Sequence, residues 1–191
     1  MVDRRVSIYN TATLLTSARS GRELVHGKPR RHDVRRILLV VQDHNEERTL
    51  MAKVNIACTY CRLDQDDIAL GLYREVYAGF KRLKGASDSR TVDAAVNFVN
   101  ALGKSGHFAE AKALLREQIP NMRQLGPDHE KTLSLRHLLA MCLFDDKNAT
   151  EADFKEALAI LEDVERRYRR VLGDSHPLTT KIQSVLEATR N

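Results

Sequence analysis

LGPDHEKTL, residues 125–133, holds the pattern that decides the fold of this 191-residue chain. Its Gly126 stands six residues before its Thr132, and successive copies of that Thr are 42, 41 and 47 residues apart. A fixed period of this size, with helical patterning between the copies, indicates a solenoid of helix pairs in which no repeat buries its apolar face alone. The other copies are Gly85 with Thr91, Gly173 with Thr179, and Thr49, which lacks the Gly.

Each copy of the pattern predicts a joint, the place where one helix ends and the next begins. Glycine adopts the left-handed conformation that closes a helix at low cost. A polar side chain two or three residues after it can accept hydrogen bonds from the free amide groups of the following helix. We assign this capping role to Asp88, Asp128 and Ser175.

The motif LG-x-x-H-x-x-T between paired helices resembles the 42-residue tetratricopeptide repeats of the kinesin light chain family. His129 and His176 stand at the family's His, and Asp88 replaces it in one copy. The resemblance is strong from Thr49 to the C-terminus and weak over the first 48 residues. It implies an all-α fold, a right-handed superhelical solenoid of antiparallel helix pairs.

The joints divide the chain into segments of one repeat each. The fourth repeat, of 47 residues, is five residues longer than the 42-residue period, and we expect the extra residues in the turn DDKNATEAD, residues 145–153. The segments are a degenerate basic first repeat (1–48), a second repeat (49–90), a third (91–131), a fourth with the turn insertion (132–178), and a capping helix or truncated fifth repeat (179–191).

The interior of each helix pair is predicted from small residues and from one proline. Residues of alanine size at 69, 111 and 157 let the two helices of a pair approach closely. Pro120 lies in the second helix of the third pair, where it removes one backbone hydrogen bond, so we expect a kink there.

The net charge of +5 is concentrated at the N-terminus. Residues 1–36 hold nine Arg or Lys against three acidic residues, which gives +6, including the run KPRRHDVRR at residues 28–36. Such a run is typical of a nuclear-localisation signal or a nucleic-acid patch, or it is the solvated face of a first helix, which we favour. A mitochondrial transit peptide is a further alternative.

Composition and cysteine usage favour a cytoplasmic protein, with a nuclear location as the alternative. The longest strongly apolar run, residues 37–41, is too short to span a bilayer, and no apolar segment of signal-peptide length follows the N-terminus. Three cysteines without a disulfide framework indicate a reducing compartment. Cys58 and Cys61 form C-T-Y-C, but no strand precedes them and no second ligand pair follows, so we expect no metal site.

No motif of an enzyme occurs in the sequence. GKSG at residues 103–106 lacks the preceding strand and the Lys-Ser/Thr order of a phosphate-binding loop, and we read it as a turn between helices. No zinc-protease or nucleophile-elbow motif is present. We therefore predict a protein that is not an enzyme, with no catalytic residue and no cofactor.

A polar residue recurs at a fixed place on the first helix of successive repeats. Asn10, Asn55 and Asn97 are in register, and an amide side chain both donates and accepts, so it can bind the backbone of an extended peptide. The resemblance implies this use, although surface Asn residues without a partner are the alternative. The same register predicts a groove lined by Asn10, Met51, Asn55, Arg62, Asn97, Asn100, Lys104, His137 and Met141.

Two functions from different classes follow from the sequence. The first is a non-catalytic scaffold or adaptor that binds a protein or peptide segment in the groove of the repeats, with no nucleic acid and no membrane as partner. The alternative is a nucleic-acid-associated or nuclear protein that uses the basic N-terminal segment. Salt dependence separates the two, because phosphate contacts weaken steeply as salt rises.

Overall fold

The computed structural model describes residues 46–190, the last three by their backbone alone. Only the final three residues of the predicted first repeat fall in this range, and Asn10 lies outside it. The described residues form helices joined by short turns, without a strand. The helices are α1 (Glu46–Arg62), α2 (Asp66–Lys84), α3 (Ser89–Lys104), α4 (Phe108–Asn121), α5 (Glu130–Asp145), α6 (Glu151–Leu172) and α7 (Pro177–Arg190).

The chain divides into two compact units, residues 1–79 and 80–191. In the described part of unit 1, α1 packs against the first fourteen residues of α2 through buried apolar side chains such as Ile56, Tyr60 and Val76. Gly79 lies directly against Leu50, since a Cβ atom added there would come within 2.6 Å of the Leu50 Cδ2 atom. The missing side chain therefore permits this close approach of the two helices.

Unit 2 consists of helix pairs that pack in chain order. Each helix from α3 to α7 contacts its neighbour in sequence, and α3 also contacts α5, so the first helices of successive pairs lie side by side. Ala111 and Ala157 are fully buried at their pair interfaces, both with 0 % exposure. These positions support the prediction that small residues bring the helices of a pair together.

The joints have the geometry expected of helix ends. Gly85, Gly126 and Gly173 adopt φ values of +87°, +86° and +91°, which confirms that each joint needs a residue with positive φ. The hydroxyls of Thr91 and Thr179 are buried without a hydrogen-bond partner among the described residues. At the joint before α5, however, the Thr132 hydroxyl donates a 2.9 Å hydrogen bond to the Gly126 carbonyl. That bond ties the first turn of α5 to the residue that closed the preceding stretch of chain.

The side chains that cap the helices differ in part from the prediction. Asp88 does cap α3, accepting a 2.9 Å hydrogen bond from the Arg90 amide. At the next two joints the caps are the histidines, whose Nδ1 atoms accept from the amides two residues later, at 3.1 Å for His129 and 3.2 Å for His176. The assignment of Asp128 was wrong because its carboxylate is bonded to Arg167 and Arg170 instead.

Two details of the second helices also depart from the sequence expectation. The five extra residues of the fourth repeat were expected in a turn, but residues 151–153 are helical and form the first turn of α6, where Thr150 and Asp153 make a capping box. Pro120 was expected to kink α4, but that helix ends one residue later, at Asn121. The backbone hydrogen bond that Pro120 cannot donate therefore belongs to the last turn of α4, where its loss disturbs little of the helix.

Candidate protein-binding surface of the first helices

The first helices of unit 2 carry five of the predicted groove residues. Asn97, Asn100 and Lys104 lie three and four residues apart on α3, and His137 and Met141 lie four apart on α5. Such spacings put side chains on one face of a helix. Because α3 and α5 are in contact, the two rows belong to adjacent helices, and we call them the unit 2 face.

Lys131 fixes the start of α5 to the start of α3. Its Nζ atom donates to the Ser89 carbonyl at 3.1 Å and to the Ser89 hydroxyl at 2.9 Å, and it forms an ion pair with Asp93. A charge-assisted network of this kind holds two helices in one register more firmly than a single surface pair would. The spacing between the two rows of the unit 2 face is thereby set at its N-terminal end.

The two asparagines of the unit 2 face are available for binding. Asn97 is half-buried and Asn100 is exposed. Within the described part of the chain, neither side-chain amide is bonded to another protein group. Each can therefore donate and accept one or more hydrogen bonds with an incoming polar group.

His137 is the least satisfied polar group on the unit 2 face. Its Nε2 atom is shielded from solvent and has no hydrogen-bond partner among the described residues. Burial, and then the positive charge of Lys181 on α7, lower the pKa of His137. The imidazole is therefore neutral at pH 7, beside a lysine and ready to donate or accept a single hydrogen bond.

Unit 1 carries the other described groove residues, all on α1. Met51 is 52 % exposed, Asn55 one turn later is exposed, and Arg62 is the exposed last residue of the helix. Met51 and Asn55 share one face, since they are four residues apart. Asn55 thus lies on a first helix in its own unit, as Asn97 does in unit 2, but it is the more exposed of the two.

An ion network that joins α5 to α6 was not predicted from the sequence. The Asp163 carboxylate on α6 accepts from Arg136 of α5 at 2.6 Å and from Arg167 at 2.7 Å. Burial disfavours the ionised form of Asp163, but the hydrogen bonds from Arg167 and Arg136 outweigh it and lower the pKa. The i to i+4 spacing of Asp163 and Arg167 was visible in the sequence, but Arg136 stands 27 residues before Asp163 on another helix, so that contact depends on how α5 and α6 pack.

The described residues show neither a metal cluster nor a membrane span. In residues 46–187, no three His, Cys, Asp or Glu side chains gather closely enough to hold a metal ion. None of the described helices is both long and apolar enough to cross a bilayer. What the unit 2 face offers is hydrogen bonding and apolar contact.

Comparison with known proteins identifies the architecture. Residues 49–88 match the family model of the tetratricopeptide repeat. A crystal structure described as a Podosopora anserina kinesin light chain with nearly identical TPR-like repeats superposes with a TM-score of 0.66 over 97 % of this chain and 86 % of that one, at 17 % identity. The fold is that of a tetratricopeptide-repeat solenoid. The all-α solenoid and the kinesin light chain-like repeat type predicted from the sequence are thereby confirmed.

The chain also matches one further family model and one further solved structure. Residues 154–191, which span most of α6, the last joint and α7, match the CATSPERZ C-terminal helical domain. BtubC, also called BKLC, from P. vanneervenii has a TM-score of 0.54 and 12 % identity, with 82 % of this chain and 72 % of that one covered. No curated protein sequence matches this chain. Tetratricopeptide repeats generally mediate protein–protein interactions and are typically non-catalytic.

Proposed function

We propose that this tetratricopeptide-repeat protein is a non-catalytic scaffold that captures a peptide or protein segment on its first helices. The observation that carries the proposal is the pair of unbonded amides, Asn97 and Asn100, on α3, which packs beside the helix that bears His137 and Met141. Polar groups on a rigid helix lose little freedom when they bind, which favours recognition by preformed donors and acceptors.

The amides supply recognition of a peptide backbone. An extended segment presents alternating N–H and C=O groups, and one asparagine side chain can satisfy both kinds. Once such a bond is excluded from water, its loss leaves a peptide group unpaired, at a cost of about 1–3 kcal/mol. Asn55 has the same role on α1 in this proposal, and Asn10 is assigned to it by register alone.

The remaining side chains of the unit 2 face supply contact area and selectivity. Met141 is flexible and polarizable, so it adapts to different apolar groups. His137 is half-buried and adds contact area through its ring, while its Nε2 atom is shielded from solvent. Lys104, like Arg62 on α1, adds positive charge at the end of its helix.

The division into repeats and a cytoplasmic location complete the proposal. We place the repeats at residues 49–90, 91–131 and 132–178, with a degenerate one before them and a capping helix after them. The three free thiols favour a reducing compartment.

The experiment is affinity capture from source lysate by the immobilised full-length chain, with captured proteins identified by mass spectrometry. We expect Asn55→Ala with Asn97→Ala to lose the captured partner while the circular dichroism spectrum and melting temperature stay unchanged. Asn148→Ala is the matched control, since this exposed asparagine lies in the loop between α5 and α6 and should leave capture intact.

A second variant distinguishes the alternative function. Replacing Arg30, Arg31, Arg35 and Arg36 with Ala should leave capture largely unchanged, because screened charges on another segment contribute little to groove binding. A folded double-asparagine variant that keeps its partner, beside an arginine variant that loses it, would move the function to the basic N-terminal segment.

A further inference from the structure

Two thiols and one phenol meet inside unit 1, where α1 packs against α2. Cys58 and Cys61 lie one turn apart on α1, and Tyr73 reaches them from α2. The Cys58 Sγ atom lies 3.1 Å from the Tyr73 Oη atom. Burial and then both thiols, Cys58 ahead of Cys61, raise the pKa of that hydroxyl. Because Cys58 and Cys61 are three residues apart, their side chains lie on the same side of α1.

The two sulfurs are open to small oxidants, whereas the third thiol of the chain is not. Cys58 is exposed and Cys61 is half-buried, and both are free thiols. Cys142 is buried, with 6 % exposure, and burial raises its pKa to about 11. Since oxidation follows exposure and thiolate character, Cys142 provides an internal control within the same chain.

The helix geometry nearly allows the two cysteines of α1 to be bridged. Residues three apart on an α-helix have Cα atoms about 5 Å apart, inside the range of about 4.4–6.8 Å found for disulfides. Their Cβ atoms are about 5–6 Å apart, whereas a disulfide needs about 3.5–4.5 Å. Closing the bond therefore requires the last turn of α1 to tighten by about 1 Å.

The last turn of α1 is already tightening at its end. The Leu63 amide is shared between the Thr59 carbonyl at 3.2 Å and the Tyr60 carbonyl at 3.0 Å. The Asp64 amide donates to the Cys61 carbonyl at 3.4 Å, a bond that spans three residues as in a 3₁₀-helix. In that conformation residues three apart are aligned along the helix, which brings their side chains together.

We propose that Cys58 and Cys61 are an oxidative modification site that closes to an intrahelical disulfide when hydrogen peroxide reaches it. The more exposed sulfur, that of Cys58, attacks one peroxide oxygen, the O–O bond breaks, and a sulfenic acid and one water result. The Cys61 sulfur then attacks the Cys58 sulfur, the S–S bond forms, the S–O bond breaks, and a second water leaves. The two thiols lose two electrons and two protons, and the peroxide is reduced. The inference needs no ligand and so goes beyond the proposed function.

The test uses the reduced full-length chain and hydrogen peroxide. After treatment the protein is denatured, alkylated and digested with trypsin, which releases both cysteines in one peptide, residues 54–62. We expect this peptide to escape alkylation and to be about 2 Da lighter than its reduced form, the mass of two hydrogens. Dithiothreitol should reverse the change, and Cys142 should remain alkylated throughout.

Two single variants complete the design. Cys61→Ser should stop the reaction at the Cys58 sulfenic acid, which dimedone labels, while Cys142→Ser should close as the wild type does. The proposal is overturned if both thiols of residues 54–62 stay alkylated when Cys142 is already oxidised. The proposal is also overturned if a non-reducing gel shows disulfide bonds between chains and the lighter peptide is absent.

Discussion

Arg167 on α6 donates a 2.7 Å hydrogen bond to Asp128, which stands 39 residues earlier in the joint before α5. The same guanidinium donates to Asp163 at 2.7 Å, and Arg170 forms a second ion pair with Asp128. Asp128 therefore does not cap its own helix. It fastens the joint of one repeat to the second helix of the next, as nearest-neighbour contacts do in a solenoid.

Replacing Asp128 with Ala should therefore destabilise unit 2 by about 0.5–1 kcal/mol, the range of partly exposed ion pairs. Urea denaturation followed by circular dichroism measures the change. Asp174→Ala is the control, because Asp174 makes one ion pair at 3.0 Å and its side chain is 79 % exposed. Equal effects of the two substitutions would mean that the network adds nothing beyond an isolated surface pair.

Ala111→Leu should cost roughly 1–3 kcal/mol of stability, because the larger side chain overpacks the interface at which Ala111 is fully buried. Ala113→Leu tests the same change on the exposed side of α4 and should be nearly neutral. A thermal melt of the Ala111→Leu protein that matches the wild type would contradict the helix-pair register.

Alanine at Gly126 should be destabilising by about 1–2 kcal/mol, since φ is +86° there and an L-residue is strained in that conformation. No atom lies within 4 Å of the added Cβ, so backbone strain is the cause and steric contact is not. Gly71→Ala, in open space within α2, should instead stabilise the protein by about 0.5–1 kcal/mol. Chemical denaturation of the two variants should give shifts of opposite sign.

Acidification should weaken unit 2 through His137. Burial and Lys181 lower the pKa of His137 in the folded state below the value of 6.5 that it has when unfolded. The unfolded chain therefore binds the proton first, and stability is lost as the pH falls through and below 6.5. Each unit of pKa difference is worth about 1.4 kcal/mol.

His137→Gln should flatten the stability curve between pH 7 and pH 5 and leave the loss at lower pH. The loss of stability at pH values below 5 comes from carboxylates such as Asp163, whose pKa is lowered in the folded state. The measurement is the free energy of unfolding at each pH for wild type and variant. Parallel curves from pH 7 to 5 would rule out His137 as the titrating group.

The sequence by itself determined the helix pairs and where they join. The positive φ of Gly126 and the hydrogen bond from Thr132 to its carbonyl involve residues only six apart. The sequence therefore predicts this joint without any knowledge of how the helices pack. The burial of Ala111 and Ala157 followed from the same period, because small residues recur wherever two helices approach closely.

The tertiary structure decided which side chains cap the helix at each joint and which polar groups remain without a hydrogen bond. Both Asp128 and His129 could cap α5. Asp128 does not, because its carboxylate pairs with Arg167 and Arg170, which lie on a helix about 40 residues later. The meeting of Tyr73 with Cys58 and Cys61, and the shielded, unpartnered nitrogen of His137, depend likewise on contacts between helices. Local sequence sets backbone conformation, but a side chain's partner depends on where distant helices pack.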